Sequence, residues 1–193
     1  MTTPPDFVSG QILTAAQMNA VAMWSITTCT VSCTGGTAAT ASNGVITIGN
    51  GNTALTISNA FSADFDNYVI RISGGGTDAN RQGYLQLGAT TSGYAYQLLF
   101  GSYGNTAQAV GLTAQAQWDY SFVGNTTSLN GIIDLTSPFL AERSFYQAVW
   151  VQSDTAGRSQ GFLSDTTSYS SFKLSLSGGS FTGGTVRVYG LRN

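Results

Sequence analysis

The sequence predicts a mainly β protein, an antiparallel β-sandwich of jelly-roll type, preceded by an extended N-terminal arm and one short helix. Three observations carry this. From about residue 26 onward apolar and polar residues alternate with a period of two, the pattern of half-buried strands. Turn signals punctuate that pattern throughout, and no helical stretch lies between them to serve as the crossover of an α/β sheet. The 193 residues include 24 Gly, and only 8% are charged, as expected of a chain dominated by strands and corners.

The elements follow in order. Pro4-Pro5 enforces an extended lead-in, so residues 1–11 read as an arm. Thr14 and Gln17 form a capping box, with Leu13 and Met18 in the staple positions, and the helix runs from Ala15 to about Trp24. A helix this short is not stable alone in water and must pack on something. Residues 1–24 are therefore set apart from a β domain at 25–193. Strands are expected at 26–33, 45–48, 54–58, 68–73, 83–87, 94–100, 115–122, 131–135, 145–152, 161–163, 172–177 and 185–191. Asn50-Gly51 reads as a two-residue hairpin turn between the second and third of these. Tyr68, Ile70 and Ile72 share a core face, as do Phe172, Leu174 and Leu176. A 20.1 kDa chain buries about 70% of its unfolded surface, enough for one full core.

Composition excludes several partners. Seven basic residues scattered from Arg71 to Arg192, in a chain of net charge −2, form no stripe for nucleic acid. No apolar run approaches the roughly 20 residues of a membrane-spanning helix. The opening Met-Thr-Thr-Pro-Pro-Asp-Phe lacks the basic and apolar regions of a secretory signal, so the expectation is a protein that stays in the producing cell until that cell opens. Ser, Thr and Gly make up 71 residues against one Lys and one Glu. Such a surface is cheaply desolvated, which points to a symmetric homo-oligomer or docking into a larger assembly.

Chemistry is sparse. With no His, acid–base work at neutral pH would fall to carboxylates, and Asp64 and Asp66 are the one close pair. They lie between strands, where Asp bonds the local backbone; a turn is the leading reading and a calcium loop the sharper alternative. Cys29 and Cys33 are too far apart in a strand to bridge, and no His or further Cys completes a zinc shell. The glycine-rich 73–77 lacks the Lys-Ser/Thr of a phosphate loop, and the Asn125-Thr-Thr127 sequon carries no glycosylation reading without secretion. No catalytic, metal or cofactor site is expected. Tyr94, Tyr96, Tyr103, Trp118, Tyr120 and Trp150 could present flat faces to sugar rings, with core packing the stronger reading; Tyr94, Tyr103 and Trp118 are the candidate glycan contacts.

The opening Phe7-Val-Ser-Gly-Gln-Ile-Leu-Thr-Ala-Ala-Gln-Met-Asn19 is similar to the start of many minor tail and other virion proteins of tailed bacteriophages. Asn59-Ala-Phe-Ser-Ala-Asp-Phe-Asp-Asn-Tyr68, Ser137-Pro-Phe-Leu140 and Gly183-Gly-Thr-Val-Arg-Val-Tyr-Gly-Leu-Arg192 resemble recurrent blocks of a β-rich domain in the same class. The resemblance implies a non-catalytic structural protein of the virion, homotrimeric and assembled in the host cytoplasm. Its partners would be itself, other virion proteins and a host surface glycan. Docking or oligomerisation would fall to Phe7, Ile12, Leu13, Met18, Val21 and Trp24, with the β domain projecting as a minor tail or short fibre protein. The alternatives are a capsid decoration or head-fibre protein and a free-standing, non-catalytic carbohydrate-binding module.

Overall fold

The computed structural model describes residues 23–105 and 107–191, and every regular element among them is a strand. In chain order these are β1 (Met23–Ser25), β2 (Thr30–Gly35), β3 (Thr40–Ser42), β4 (Val45–Thr47), β5 (Asn52–Ser58), β6 (Asn67–Ser73), β7 (Arg81–Leu87) and β8 (Tyr94–Ser102). They continue with β9 (Gln108–Gln115), β10 (Trp118–Gly124), β11 (Leu129–Thr136), β12 (Ser144–Val151), β13 (Thr155–Leu163), β14 (Phe172–Leu176) and β15 (Thr185–Leu191). The expected arm and most of the expected helix lie outside the described residues. Met23 and Trp24 do not: they belong to a strand paired with β15, so the β domain begins two residues earlier than 25 and Trp24 is no helix end.

All pairings between strands are antiparallel and link into one network. It folds into two layers. The larger runs β9-β8-β13-β12-β11-β6-β15, and β15 is flanked on its far side by β4 over its first residues and by β1 over its last. The smaller runs β2-β5-β14-β7-β10. The layers are joined through the β10–β11 hairpin, where Val123 pairs with Asn130 and Gly124 with Leu129.

Alternation builds the core between them. Tyr68, Ile70 and Ile72 are buried from the larger layer, and Phe172, Leu174 and Leu176 from the smaller, as their period-two spacing predicts. Rings then bridge the layers. Trp118 on β10 stacks on Tyr146 of β12 with centroids 4.5 Å apart and planes at 6°, and Tyr94 of β8 meets its edge at 4.9 Å. Each large apolar side chain buried this way contributes about 1.5–3 kcal/mol. Gly161 lies between Tyr146 on one side and Tyr96 on the other, and a Cβ there would collide with the Ala95 carbonyl of the neighbouring strand.

The Asn50-Gly51 hairpin does not form. β4 and β5 lie in different layers, because the main-chain groups around this turn are already committed elsewhere. Thr37 N donates to Asn50 O (2.8 Å), Gly51 N to Phe181 O (2.8 Å) and Phe181 N to Asn52 O (2.8 Å). The fully buried Asn52 reinforces the corner, its Nδ2 donating to the Thr37 and Gly49 carbonyls at 2.9 Å each. The two-residue turn of this region is instead Asn43-Gly44, at φ 50° and 76°, between the paired Ser42 and Val45.

Asn125 holds the joint between the layers. Its Oδ1 accepts from Thr127 N (2.9 Å), Thr127 Oγ1 (3.0 Å), Ser128 N (2.8 Å) and Ser128 Oγ (3.1 Å). The sequon asparagine is thus a turn clamp. Asn125→Ala is expected to cost about 2 kcal/mol of unfolding free energy in urea titrations, since it strands several donors at once; a loss below about 0.5 kcal/mol would show that the clamp is idle.

Candidate binding surfaces

The sandwich has two unlike poles. Met23 pairs with Leu191, and Leu191 with Asn67, so the start and end of the described chain sit side by side at one pole. The loops 59–66, 88–93, 137–143 and 164–171 gather there, tied together by Ser137 N to Asp66 O (2.8 Å), Tyr169 N to Pro138 O (2.9 Å) and Ser164 N to Gly93 O (3.0 Å). Asp64, Asp66, Glu142 and Asp165 all belong to this pole. Asp165 is satisfied locally: Thr167 N and Oγ1 donate to its Oδ1 and Tyr169 Oη to its Oδ2, which holds its carboxyl below the usual carboxylate range. The opposite pole is built from loops 74–80, 103–105, 125–128, 152–154 and 177–184.

The acidic pair at 64 and 66 is organised as a turn. Ser62 Oγ lies 3.1 Å from Asp64 Oδ2 and 3.4 Å from Asp64 N, and the Asp66 carbonyl anchors the neighbouring loop. Among the described residues no three or more Cys, Asp or Glu side chains converge as a metal-binding group would require. Cys29 and Cys33 are both free thiols; Cys29 is buried, and burial pushes its pKa up to about 11.

Two of the candidate glycan contacts are corrected here. Tyr94 and Trp118 are each 0% exposed, because inward strand positions opposite Leu163 and Leu85 carry them into the core. Tyr94 Oη is occupied there, accepting from Leu87 N at 2.8 Å. Tyr96 is buried too, its hydroxyl donating to Asp119 Oδ2 at 2.8 Å. Tyr103 is the opposite case: it is 69% exposed, on the turn after β8 at the far pole. Of the docking residues, Phe7, Ile12, Leu13, Met18 and Val21 lie outside the described residues, and Trp24 is half-buried on β1.

At the same pole as Tyr103 the two layers part to leave a cleft of about 240 Å³, with Phe100, Tyr120, Trp150, Arg81 and Gln152 on its walls. A register shift in β10 builds it. Tyr120 adopts φ 54° inside the shift, and its ring lies between Phe100 (6.0 Å) and Trp150 (5.6 Å), stacked on both. Arg81 is fixed at the rim by a two-pronged bond to Asp78, Nε to Oδ1 at 2.8 Å and Nη2 to Oδ2 at 2.9 Å, which keeps the Asp78 carboxyl low. The sequence marks Tyr120 and Trp150 as aromatic candidates; their meeting with Arg81 depends on strand order, which no local pattern reveals.

The outer face of the larger layer is a second surface. Ile132, Phe145, Val149 and Val151 are 39–51% exposed on β11 and β12. Around them stand Arg71 and Arg187, directly opposite each other, and Arg158, opposite Val149, while Arg143 lies 4.6 Å over the Phe162 ring. Apolar side chains interleaved with arginine are the composition of a protein-contact surface.

No family model and no curated protein matches the chain. Among solved structures it is similar to a lectin from Bauhinia forficata in complex with GalNAc, at 6% identity and TM-score 0.23, covering 84% of this chain and 97% of that one. It is also similar to a prokaryotic β-1,3-1,4-glucanase (lichenase) derived from a mouse hindgut metagenome, at 6% identity and TM-score 0.27, covering 86% and 99%. The infectious bursal disease virus Gx strain gives 10% identity and TM-score 0.15 over 77% and 40%. Scores at this level support no functional assignment.

Proposed function

We propose that this protein is a structural component of a bacteriophage virion, a homotrimeric minor tail or short fibre protein that works by contact and not by turnover. In this reading residues 1–22 dock on the particle and a jelly-roll-type domain projects from it. The observation that carries the reading is the polarity of the domain. Met23 and Leu191 leave from one pole, so an arm anchored there holds the opposite pole, with Tyr103 and the aromatic cleft, outermost. The arginine-bearing outer face and the scarcity of charge provide surface for neighbouring chains. A second reading, a non-catalytic carbohydrate-binding module, is favoured by the cleft itself, where Phe100, Tyr120 and Trp150 meet the fixed Arg81.

The test is removal of residues 1–22. The cut stops there because Met23 already pairs with Leu191. The shortened chain is expected to keep its β circular dichroism and thermal midpoint while losing attachment to particles, read by co-sedimentation. Unchanged attachment would sink the docking role. A shortened chain that is monomeric and still binds host cells would favour the carbohydrate-binding module.

A further inference from the structure

Two hollows adjoin at the far pole. The cleft of about 240 Å³ and a neighbouring depression of about 410 Å³ share Phe100 and Thr155 as walls, and Ser102, Asn105 and Gln108 help to close the second. Together they reach the range of about 300–1,000 Å³ that small-molecule sites occupy.

The cleft is held in shape before anything enters it. Gly157 pairs with Trp150 on one side and Phe100 on the other, and a Cβ there would strike both side chains. Tyr120 keeps a left-handed backbone at φ 54°, which a non-glycine residue holds only where its surroundings force it, and such positions gather at ligand clamps. Arg81 commits Nε and Nη2 to Asp78, which leaves its Nη1 hydrogens outside the pair. Gln152 is fixed as well: its Nε2 donates to the Gly124 carbonyl at 2.8 Å, and its Oε1 stays outside that bond. A donor and an acceptor are thus pre-set in walls that also carry flat rings.

Charge narrows the ligand. Asp78 cancels Arg81, and every other residue lining either hollow is uncharged. The loops of this pole add one further charge, Asp154, and it is negative. A carboxylate or sulfate group would meet no uncompensated cation here, so an acidic ligand loses hydration without a partner. Aromatic faces suit the apolar face of a sugar ring, and amides and hydroxyls suit its neutral hydroxyl groups.

We propose that the two hollows bind a neutral oligosaccharide, one sugar ring lying on Phe100, which both hollows share, and the next unit reaching toward Asn105 and Gln108. The proposal rests on the carbohydrate-binding reading above and adds the place, the charge class and the length of the ligand. It holds whether the domain is carried by a particle or stands alone.

The test is binding of the full chain to a glycan array that holds neutral oligosaccharides beside their sialylated and carboxylated counterparts, followed by titration of the best neutral binder. Neutral chains of two or more sugars are expected to bind, and their acidic counterparts to bind about tenfold more weakly. Phe100→Ala and Arg81→Gln should each weaken the titrated complex about tenfold. Both variants are checked by thermal midpoint; Phe100 also packs on Tyr120, so if its variant does not fold, Arg81→Gln, which leaves every ring in place, decides alone. Stronger binding of the acidic counterparts overturns the proposal. So does a neutral complex that either variant, once folded, leaves unmoved, although carbohydrate binding itself then stands. Binding to no glycan on the array overturns the proposal and the carbohydrate-binding reading together, and leaves particle attachment to the 1–22 deletion.

Discussion

Trp118→Ala lowers the unfolding free energy by about 4 kcal/mol, the cost of emptying a fully buried indole site that cannot collapse. The site is rigid because Trp118 is held on two sides, by Tyr146 stacked at 4.5 Å and by Tyr94 edge-on at 4.9 Å. Part of the loss is therefore the ring interaction itself, about 0.5–1.5 kcal/mol per pair. For a domain of this size the thermal midpoint should fall by roughly 8–16 °C. Trp118→Phe should cost far less, because it keeps a ring in the stack and removes an indole N–H that has no hydrogen-bond partner. Tyr103→Ala, at the exposed far pole, should change stability by no more than about 0.5 kcal/mol. Equal melting of the Trp118→Ala and Tyr103→Ala variants would show that the ring stack does not hold the layers together.

The second large effect is alkaline. Tyr94, Tyr96 and Tyr146 are at most 5% exposed, and burial lifts all three phenol pKa values well above the ordinary value of 10.0. An unfolded tyrosine ionises near pH 10 while its folded counterpart keeps its proton, so above that pH the unfolded state binds fewer protons and gains stability. Stability present below pH 10 is then lost at about 1.4 kcal/mol per pH unit for each tyrosine, or about 4 kcal/mol for the three. Cys29, raised from 9.0 to about 11, starts the decline one unit earlier. The chain has no histidine, so the urea midpoint should stay nearly level from pH 6 to 9 and then fall steeply between 10 and 12, in step with phenolate absorbance. Tyr146→Phe should flatten that fall by about a third. A midpoint still level at pH 11.5 would mean that these hydroxyls reach water.

The strands that bury one face were legible in the sequence, and the strands that bury nothing were not. β6 and β14 announce themselves because Tyr68, Ile70 and Ile72, or Phe172, Leu174 and Leu176, must point one way. β9 is exposed on both faces and β3 is exposed at all three positions, so neither carries an alternating signal. β1 is hidden differently, since its three residues continue an apolar spacing that also suits a helix. Asn50-Gly51 has the right chemistry for a hairpin, yet Thr37 and Phe181 take its backbone partners, and both are remote in sequence. The same distance effect separates aromatic candidates. Trp118 and Tyr120 are two residues apart, but the register shift between them sends one into the core and the other to the cleft wall.

The adjacency of Met23 and Leu191 makes the domain almost a closed ring. A short peptide splice between those residues, with the chain reopened at 103–105, would keep every strand neighbour while relocating the tether to the opposite end. Cargo grafted at 103–105 in the natural order rides farthest from the anchorage, whereas in the permuted order the same loop becomes the root. The layout thus makes orientation a property of where the backbone is cut, independent of how the sandwich is packed.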